Sequence, residues 1–504
     1  MNHLARYNLI DEAWIPVRGQ DGQSRTVGLA ELFRHAHIIR DLDEPSPANR
    51  VALYRLLLAI LHRASSARFG SWARQERRRW RREGLPTDAV LDYLEHWRER
   101  FWLVHPEHPF MQVAALAHHP DTKDKKKSVL HLALLGNDGF LFDHRKTATL
   151  PWPDALRDML GLFSFTPGGL IKILKTSDNA GPLANSAAFL ALGANLGETL
   201  LLNLGSAKSN QNDLPAWEKV PPAIKDLAAP ATLATGPNDR YTRQSRGVLL
   251  DVDDDGRVSE LWFAPGLALQ DDPHAPDPMV AQRMSKDGKT ILRIRFDGGR
   301  ALWRDLPSLT ATAKEQAPAV LRYAAEITDD SEMLHVLAAG FTNNSNKHAK
   351  FEHVRMELVR LPHALLAVEA AAAQLQEDVA RAEALYDKLH DVLAVRVVAL
   401  AQPNPEHKET RKKARARVAQ SPLPDVYFTH LEQRLPALMA AYAANDWGAA
   451  HRLWQNAMTE AAHAFWHELG ILLSDTPRAW KAMAQTEPAF HTILRNHQEN
   501  RDAA

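Results

Sequence analysis

A chain of 504 residues with 61 Lys plus Arg against 61 Asp plus Glu has no global basic field, so nucleic-acid binding would have to come from local patches or from partners that bring charge. The absence of cysteine excludes disulfides, thiolate metal sites and cysteine nucleophiles together. The length exceeds what one hydrophobic core serves and points to two or three domains. No leader signal and no long uncharged apolar run stands out, so the expectation is a cytoplasmic protein without a membrane span.

In chain order, Tyr7 to Val17 reads as a first strand, limited at its end by Pro16. Gln23 to Val27 reads as a second strand, followed by a helix from Gly28 to His35. Ala48 to Ala64 predicts a strong helix with a broad apolar face through Val51, Tyr54, Leu58 and Leu61. The arginine-rich run Arg74, Arg77, Arg78, Arg79, Arg81 and Arg82 with Trp72 and Trp80 has two readings. It is either a phosphate track with stacking aromatics or a solvated helix face paired with Glu76 and Glu83. His105, Glu107 and His108 look like metal ligands, but the intervening prolines keep them off one helix face and favour a structural role.

Lys123, Lys125, Lys126 and Lys127 form a basic stretch. Leu135 to Lys146 then mixes turn residues with aromatics and reads as a long loop, a type of segment that often carries function. Trp152 to Phe163 is helical and runs into Thr166-Pro167-Gly168-Gly169, where paired glycines let a backbone approach a ligand closely. Lys172 and Lys175 follow within reach of that loop. Neither GxGxxG nor GxxxxGK[ST] is present, so no nucleotide cofactor is expected. Ala187 to Leu204 reads as a buried helix. A hairpin is expected between Val248–Val252 and Val258–Phe263. Its turn, Asp251 to Gly256, starts like a calcium loop but has Trp262 at the twelfth position, so no metal is expected there. Thr290 to Phe296 alternates apolar and basic residues as a half-buried strand does.

Ala339 to Lys347 includes the polar run Asn343-Asn344-Ser345-Asn346, which reads as the tip of a tight turn or hairpin, with Gly340 available for positive φ. Such side chains suit either a solvated turn or donation to and acceptance from base edges. From about Ala364 the composition shifts towards alanine and leucine. Leu375, Val379, Ala382, Tyr386, Leu389 and Leu393 form a helical seam. Pro403 and Pro405 break it, and the basic run Lys408, Arg411, Lys412, Lys413, Arg415 and Arg417 follows. A helix from Asp425 to Ala443, one capped by Asp446, and one capped by Thr476 with Pro477 first complete a four-helix bundle. The fold expected is therefore α+β: a mixed domain over residues 1–363 and a four-helix bundle over 364–504. His390-Asp391 is the sole adjacent His-then-Asp pair, and no GxSxG or HExxH occurs, so an enzyme is not expected. A metal-dependent nuclease remains the alternative to exclude.

Four stretches carry a resemblance: Asn8 to Val17, His108 to Gln112, Glu198 to Leu204 and Phe341 to Ser345. In that order they resemble CasA, the large-subunit family of the type I-E CRISPR surveillance complex Cascade. The resemblance implies a non-catalytic subunit near the 5′ end of the CRISPR RNA. It would read the protospacer-adjacent motif in double-stranded target DNA from the minor groove, start strand separation, and recruit the helicase-nuclease. The implied partners are other Cascade subunits, CRISPR RNA, duplex DNA and that nuclease, with no cofactor and no membrane. A wedge hairpin falls on Asn343, Asn344, Ser345 and Asn346, with Ser345 where the family commonly has Gln. A glycine loop falls on Gly168 and Gly169. A loop touching the RNA handle and the backbone subunit spans Leu135 to Leu150, with Asn137 and Phe142 as its contacts and Phe140 as the alternative aromatic. Phosphate contacts are expected from Lys123, Lys125, Lys126, Lys172, Arg411, Lys412 and Lys413. The family's minor-groove lysine has no counterpart between Asp226 and Ser285, which leaves Lys286, Lys289, Arg243 and Arg246 as substitutes. The competing reading is a docking subunit without direct DNA contact.

Overall fold

The structure is a computed structural model, and it describes residues 5–136, 148–207, 212–272, 274–285, 289–296, 299–313, 316–343, 351–473 and 475–499. The chain forms two compact units. The first comprises Met1–Arg300, Glu315–Asp329 and Leu334–Val359; the second comprises Ala301–Lys314, Asp330–Met333 and Arg360–Ala504. The strands in chain order are β1 (Arg6–Asn8), β2 (Ile15–Gly19), β3 (Ser24–Val27), β4 (Ile39–Leu42), β5 (Trp102–Val104), β6 (Lys126–Ser128), β7 (Leu150–Pro151) and β8 (Gly169–Ile173). They continue with β9 (Lys175–Asp178), β10 (Ala188–Leu192), β11 (Arg246–Val252), β12 (Arg257–Pro265), β13 (Gln282–Met284), β14 (Ile291–Arg293), β15 (Met333–Asn343) and β16 (Phe351–Pro362).

The first unit is built on the helix Pro47–Phe69, whose residues from Val51 to Leu61 are buried on every side. A helix buried all round belongs in a core, not at a surface, and the one charged residue of that span, Arg55, is paired with Asp277 at 2.8 Å. Ser46 caps it and Pro47 takes its first turn, which suits a residue without an amide hydrogen. The helix Trp152–Phe165 lies against it where Gly161 leaves room for the Asn49 amide; a Cβ there would meet Asn49 Oδ1 at 2.2 Å. Around this pair stand small sheets, ordered β3-β2-β4, β11-β12-β6 with β7 also on β12, and β10-β15-β16, plus the hairpins β8–β9 and β13–β14.

The amino-terminal strand is two strands. Asn8 accepts from the amides of Ile10, Asp11 and Glu12, and that turn separates β1 from β2. The helix expected over Ala187 to Leu204 is instead β10 followed by the short helix Leu196–Asn203. A continuous apolar run fits a buried strand as well as a buried helix. Here Asn195 caps the helix through Glu198 N at 2.9 Å, and Asn203 Nδ2 reaches back to Ala191 O at 2.6 Å.

In the second unit the seam residues Leu375, Val379, Ala382, Leu389 and Leu393 are buried, with Tyr386 half-buried. They lie on one long helical stretch: Glu369–Asp387, a π-helical turn over Lys388–Ala394, then Val395–Leu400. Trp454, Met458, Ala461, Phe465 and Leu469 line the buried face of Trp447–Leu472. Asp446 and Thr476 cap their helices as expected, accepting from Ala449 N at 2.8 Å and Ala479 N at 3.2 Å. Two details differ from the bundle expected. Asp425 to Ala443 is broken into Leu423–Glu432 and Leu435–Ala443, because Pro436 can sit in a first turn but cannot continue a helix. The basic run is itself a helix, Lys408–Ala419. Trp303, from the segment preceding the bundle in sequence, packs on Trp454 with ring centroids 5.5 Å apart.

Candidate nucleic-acid interface

The carboxyl end of Trp152–Phe165 organises the candidate residues. Its last carbonyls have no partner within the helix. They accept instead from Ser245 Oγ (to Phe163 O, 2.6 Å) and Leu183 N (to Ser164 O, 2.9 Å), while Gly181 N donates to Thr166 O at 2.8 Å. The helix end is thereby fixed, and several loops depart from it.

The first is Pro167-Gly168-Gly169, which opens the hairpin β8–β9. A Cβ on Gly168 would lie 3.0 Å from Ala180 N, so glycine permits this close approach of the hairpin's two ends. A Cβ on Gly169 would meet nothing within 4 Å. Lys172 and Leu174 both take positive φ, 54° and 59°, uncommon for such residues and a form of strain that gathers at working sites. Ile173 and Leu174 turn onto the cluster of Val113, Leu116, Leu227 and Ala264. Lys172 and Leu170 face solvent, Leu170 with 73% of its surface exposed.

The second is the long loop. Leu135 and Gly136 end a helix at φ 53° and 79°, and a side chain on Gly136 would come within 3.2 Å of Thr166 Oγ1. The loop thus leaves from beside the glycine loop. It returns at Thr149, which holds Arg257, and at β7 paired with β12. Asn137, Phe140 and Phe142 lie outside the described residues.

The third is β15. Phe341 meets Phe165 edge to face, with centroids 5.3 Å apart. Gly340 is not a turn residue; it lies within β15, where a Cβ would come 3.0 Å from Ser186 O and 3.3 Å from Ala187 Cα. Glycine is needed there for packing, not for positive φ. The strand ends at Asn343; Asn344, Ser345 and Asn346 lie outside the described residues.

A fourth element borders the same segment. Ala187 N donates to Ile294 O and Ile294 N to Ala281 O, both at 2.8 Å, which seats the hairpin β13–β14 against the start of β10, the strand paired with β15. Lys289 is exposed at its tip, and Lys286 lies outside the described residues. The two arginine substitutes are held by internal partners instead, Arg243 half-buried and Arg246 buried. Arg243 binds Asp239 and Thr232 (2.5 and 2.9 Å), with 9% of its side chain exposed. Arg246 is 4% exposed and binds Asp178 at 2.9 Å. Burial holds the Arg246 guanidinium below its usual pKa, with Asp178 opposing that shift.

Among the phosphate candidates, Lys123 and Lys125 are exposed. Lys126 pairs with Asp251 at 2.6 Å and Glu260 at 3.5 Å and lies over the Trp262 ring. In the helical unit Arg411 pairs with Glu406, while Lys412 and Lys413 face solvent. The arginine-rich run is a helix, Arg74–Glu83, held mostly by internal partners: Arg77, fully buried, with Glu326, and Arg81 with Glu198 at 2.7 Å. His105 is structural: its Nδ1 accepts from Glu107 N and His108 N at 3.1 and 3.0 Å. His390 and Asp391 bind each other at 2.8 Å. Among the described residues no group of three His, Asp or Glu is placed to hold a metal, and no helix is long and apolar enough to cross a membrane.

Comparison with known proteins matches this build. The family model described as CRISPR-associated protein Cse1 covers residues 8–465. The chain is 33% identical over 512 residues to the CRISPR-associated protein CasA/Cse1 of Thermus thermophilus, covering 98% of each. The solved Thermus thermophilus CasA (Cse1) matches at a TM-score of 0.84 with 31% identity, over 98% of this chain and all of that one (100%). A chain from a structure described as a CRISPR RNA-guided surveillance complex shares the fold at a TM-score of 0.68 and 19% identity, over 97% of this chain and 100% of that one. In class, the molecule is a CRISPR-associated protein. Within that class it belongs to the CasA/Cse1 family, as the ordered sequence signatures lead one to expect.

Phe165 is what sequence reading missed: nothing local marks it as the partner of Phe341. Arg246 was singled out as a substitute for the groove lysine, whereas the structure buries it against Asp178.

Proposed function

We propose that this chain is the non-catalytic large subunit of a type I-E Cascade complex, acting in the cytoplasm with the other Cascade subunits and CRISPR RNA. It reads the protospacer-adjacent motif in double-stranded DNA, helps open the duplex for R-loop formation, and helps recruit the helicase-nuclease. Residues 1–363 read the motif and contact the RNA handle and the backbone subunit, and residues 364–504 form the helical bundle. The observation that carries this reading is the convergence on one helix end of the glycine hairpin, the root of the long loop and the strand leading to Asn343. Occurrence of the fold in a CRISPR RNA-guided surveillance complex supports it.

The physics is coherent. Exchange of a DNA duplex for an RNA–DNA heteroduplex is nearly balanced, so protein contacts at the first base pairs decide whether it starts. Gly168 and Gly169 let backbone approach the groove, and Asn343, Asn344, Ser345 and Asn346 enter beside it. Lys289 takes the place of the family's lysine. Minor-groove readout is degenerate, so several motifs are tolerated. Lys123, Lys125, Lys172, Lys412 and Lys413 add salt-sensitive phosphate contacts.

The test replaces Asn343, Asn344 and Ser345 with Ala in the reconstituted complex. Affinity for cognate duplex is expected to fall at least about tenfold, while a target opened beforehand binds as before. Unchanged duplex binding and motif preference would leave a docking subunit without DNA contact. Cutting of nucleic acid by the purified chain with divalent metal, lost on changing His390 or Asp391, would overturn the non-catalytic assignment.

A further inference from the structure

The glycine hairpin has two feet: Pro167, entering β8, and Asn179, leaving β9. One buried side chain holds both. Arg246 Nη2 donates to Pro167 O at 2.6 Å, and Nη1 donates to Asn179 O at 2.9 Å. Nη1 also lies 2.9 Å from Asp178 Oδ2 and 2.7 Å from Ser245 O. Asp178 completes the knot. Its Oδ2 accepts from Gly266 N at 2.9 Å, and its Oδ1 accepts from Asn179 N at 3.0 Å and meets Lys175 Nζ at 2.8 Å. Gly266 follows β12 and Ser245 precedes β11, so the network ties the hairpin's base to the rigid β11–β12 pair.

Burying such a pair is weak evidence for stability, since well-packed apolar residues serve as well. What a guanidinium adds is geometry: a planar fork whose donors point in fixed directions and span acceptors an ammonium cannot reach together. We propose that Arg246, braced by Asp178, is the positioning residue of the glycine loop, setting how far Gly168 and Gly169 stand out towards DNA. The proposal rests on the reading of that loop as a DNA contact. The clamp holds the base of the hairpin, while Leu170 and Lys172 on the strand leaving that base face solvent. Arg246 therefore acts through backbone placement without touching DNA.

Three variants of the full chain in the reconstituted complex decide the matter: Arg246→Lys, Asp178→Asn and Gly169→Leu. Two readouts are taken on each, amide hydrogen exchange and the ratio of affinities for duplexes with cognate and mismatched flanking motifs. Arg246→Lys and Asp178→Asn are expected to speed exchange at Gly169 and Leu170 by at least about tenfold, and to lower the motif ratio by a similar factor. Exchange at Val248 and Leu250 in β11 should stay unchanged. Faster exchange throughout the unit, or a locally loosened loop with an unchanged motif ratio, would overturn the proposal. So would an undisturbed loop in both variants. Gly169→Leu separates the two ideas: if it binds normally, the glycine-loop reading falls. If it binds poorly while both clamp variants keep their motif ratio, only the clamp falls.

Discussion

Phe165 and Phe341 stand edge to face, and through them the end of a core helix and the root of the Asn343 strand form one platform. Phe165 is fully buried and lies two positions before Pro167; Phe341 lies two positions before Asn343. A small change at this contact should reach both loops at once. Phe341→Leu keeps bulk but loses the ring pairing, a loss of about 0.5–1.5 kcal/mol. The expected result is a slightly lowered melting temperature with a larger loss of duplex affinity in the assembled complex. Equal affinity at reduced stability would show that the platform does not couple the loops.

Most of the fold was legible in the residues, and the failures have physical causes. Asp446 and Thr476 announced their helices because a cap is a local interaction, readable from a few residues. Ala187 to Leu204 misled because its first stretch, Ala187 to Leu192, is apolar throughout and has no period to read, and the Asn203 to Ala191 contact that fixes the strand crosses a turn. Gly340 was read as a turn glycine, since its need for space under Ser186 O is set by a segment more than a hundred positions away. The segments proposed as wedge and glycine loop stood out in the sequence as polar and glycine motifs. Their shared anchor, Phe165, was not, because aromatic packing between distant segments leaves no sequence signature.

Burial raises the Asp158 carboxyl to about 6, although Asn49 Nδ2 donates to it at 2.7 Å. A carboxyl whose folded pKa lies above its unfolded value makes the fold more stable at low pH, and that gain fades as pH rises through 4 to 6. At pH 7 the ionised group is therefore a cost. Asp158→Asn keeps an oxygen to accept from Asn49 and removes the buried charge. It is expected to stabilise the protein by about 1–3 kcal/mol at pH 7 and to lose that advantage towards pH 4. Urea denaturation of both forms across this range measures it; a constant difference would refute the assignment.

His62 shows the opposite dependence. The Asn238 amide faces the Asp213 carboxylate at 3.0 Å, which identifies that atom as Nδ2, so the His62 Nδ1 at 2.9 Å must accept. Burial, with Arg63 nearby, lowers the His62 pKa to about 4. A histidine depressed in the fold leaves stability intact above pH 6.5 and loses it as pH falls towards 4. The loss expected is about 2–3 kcal/mol, and His62→Gln should flatten the profile between pH 6.5 and 4. A variant with the wild-type slope would mean that another group carries the acid transition.

The helix Lys408–Ala419 buries only Ala414 and Val418, leaving Lys408, Lys412, Lys413 and Arg415 in solvent. A helix with one thin buried face suits either a solvated connecting segment or a surface that holds the displaced strand. Salt dependence distinguishes them, because each phosphate neutralised releases condensed counterions. For single-stranded nucleic acid the slope of log affinity against log salt is about −0.7 per contact. Replacing Lys408, Lys412, Lys413 and Arg415 with Gln should therefore reduce the slope for target binding by roughly 1–3 units if they hold the strand. Motif preference should not change, since phosphate contacts carry no sequence information. An unchanged slope would assign the helix to the packing of its own unit and remove Lys412 and Lys413 from the DNA-contact surface.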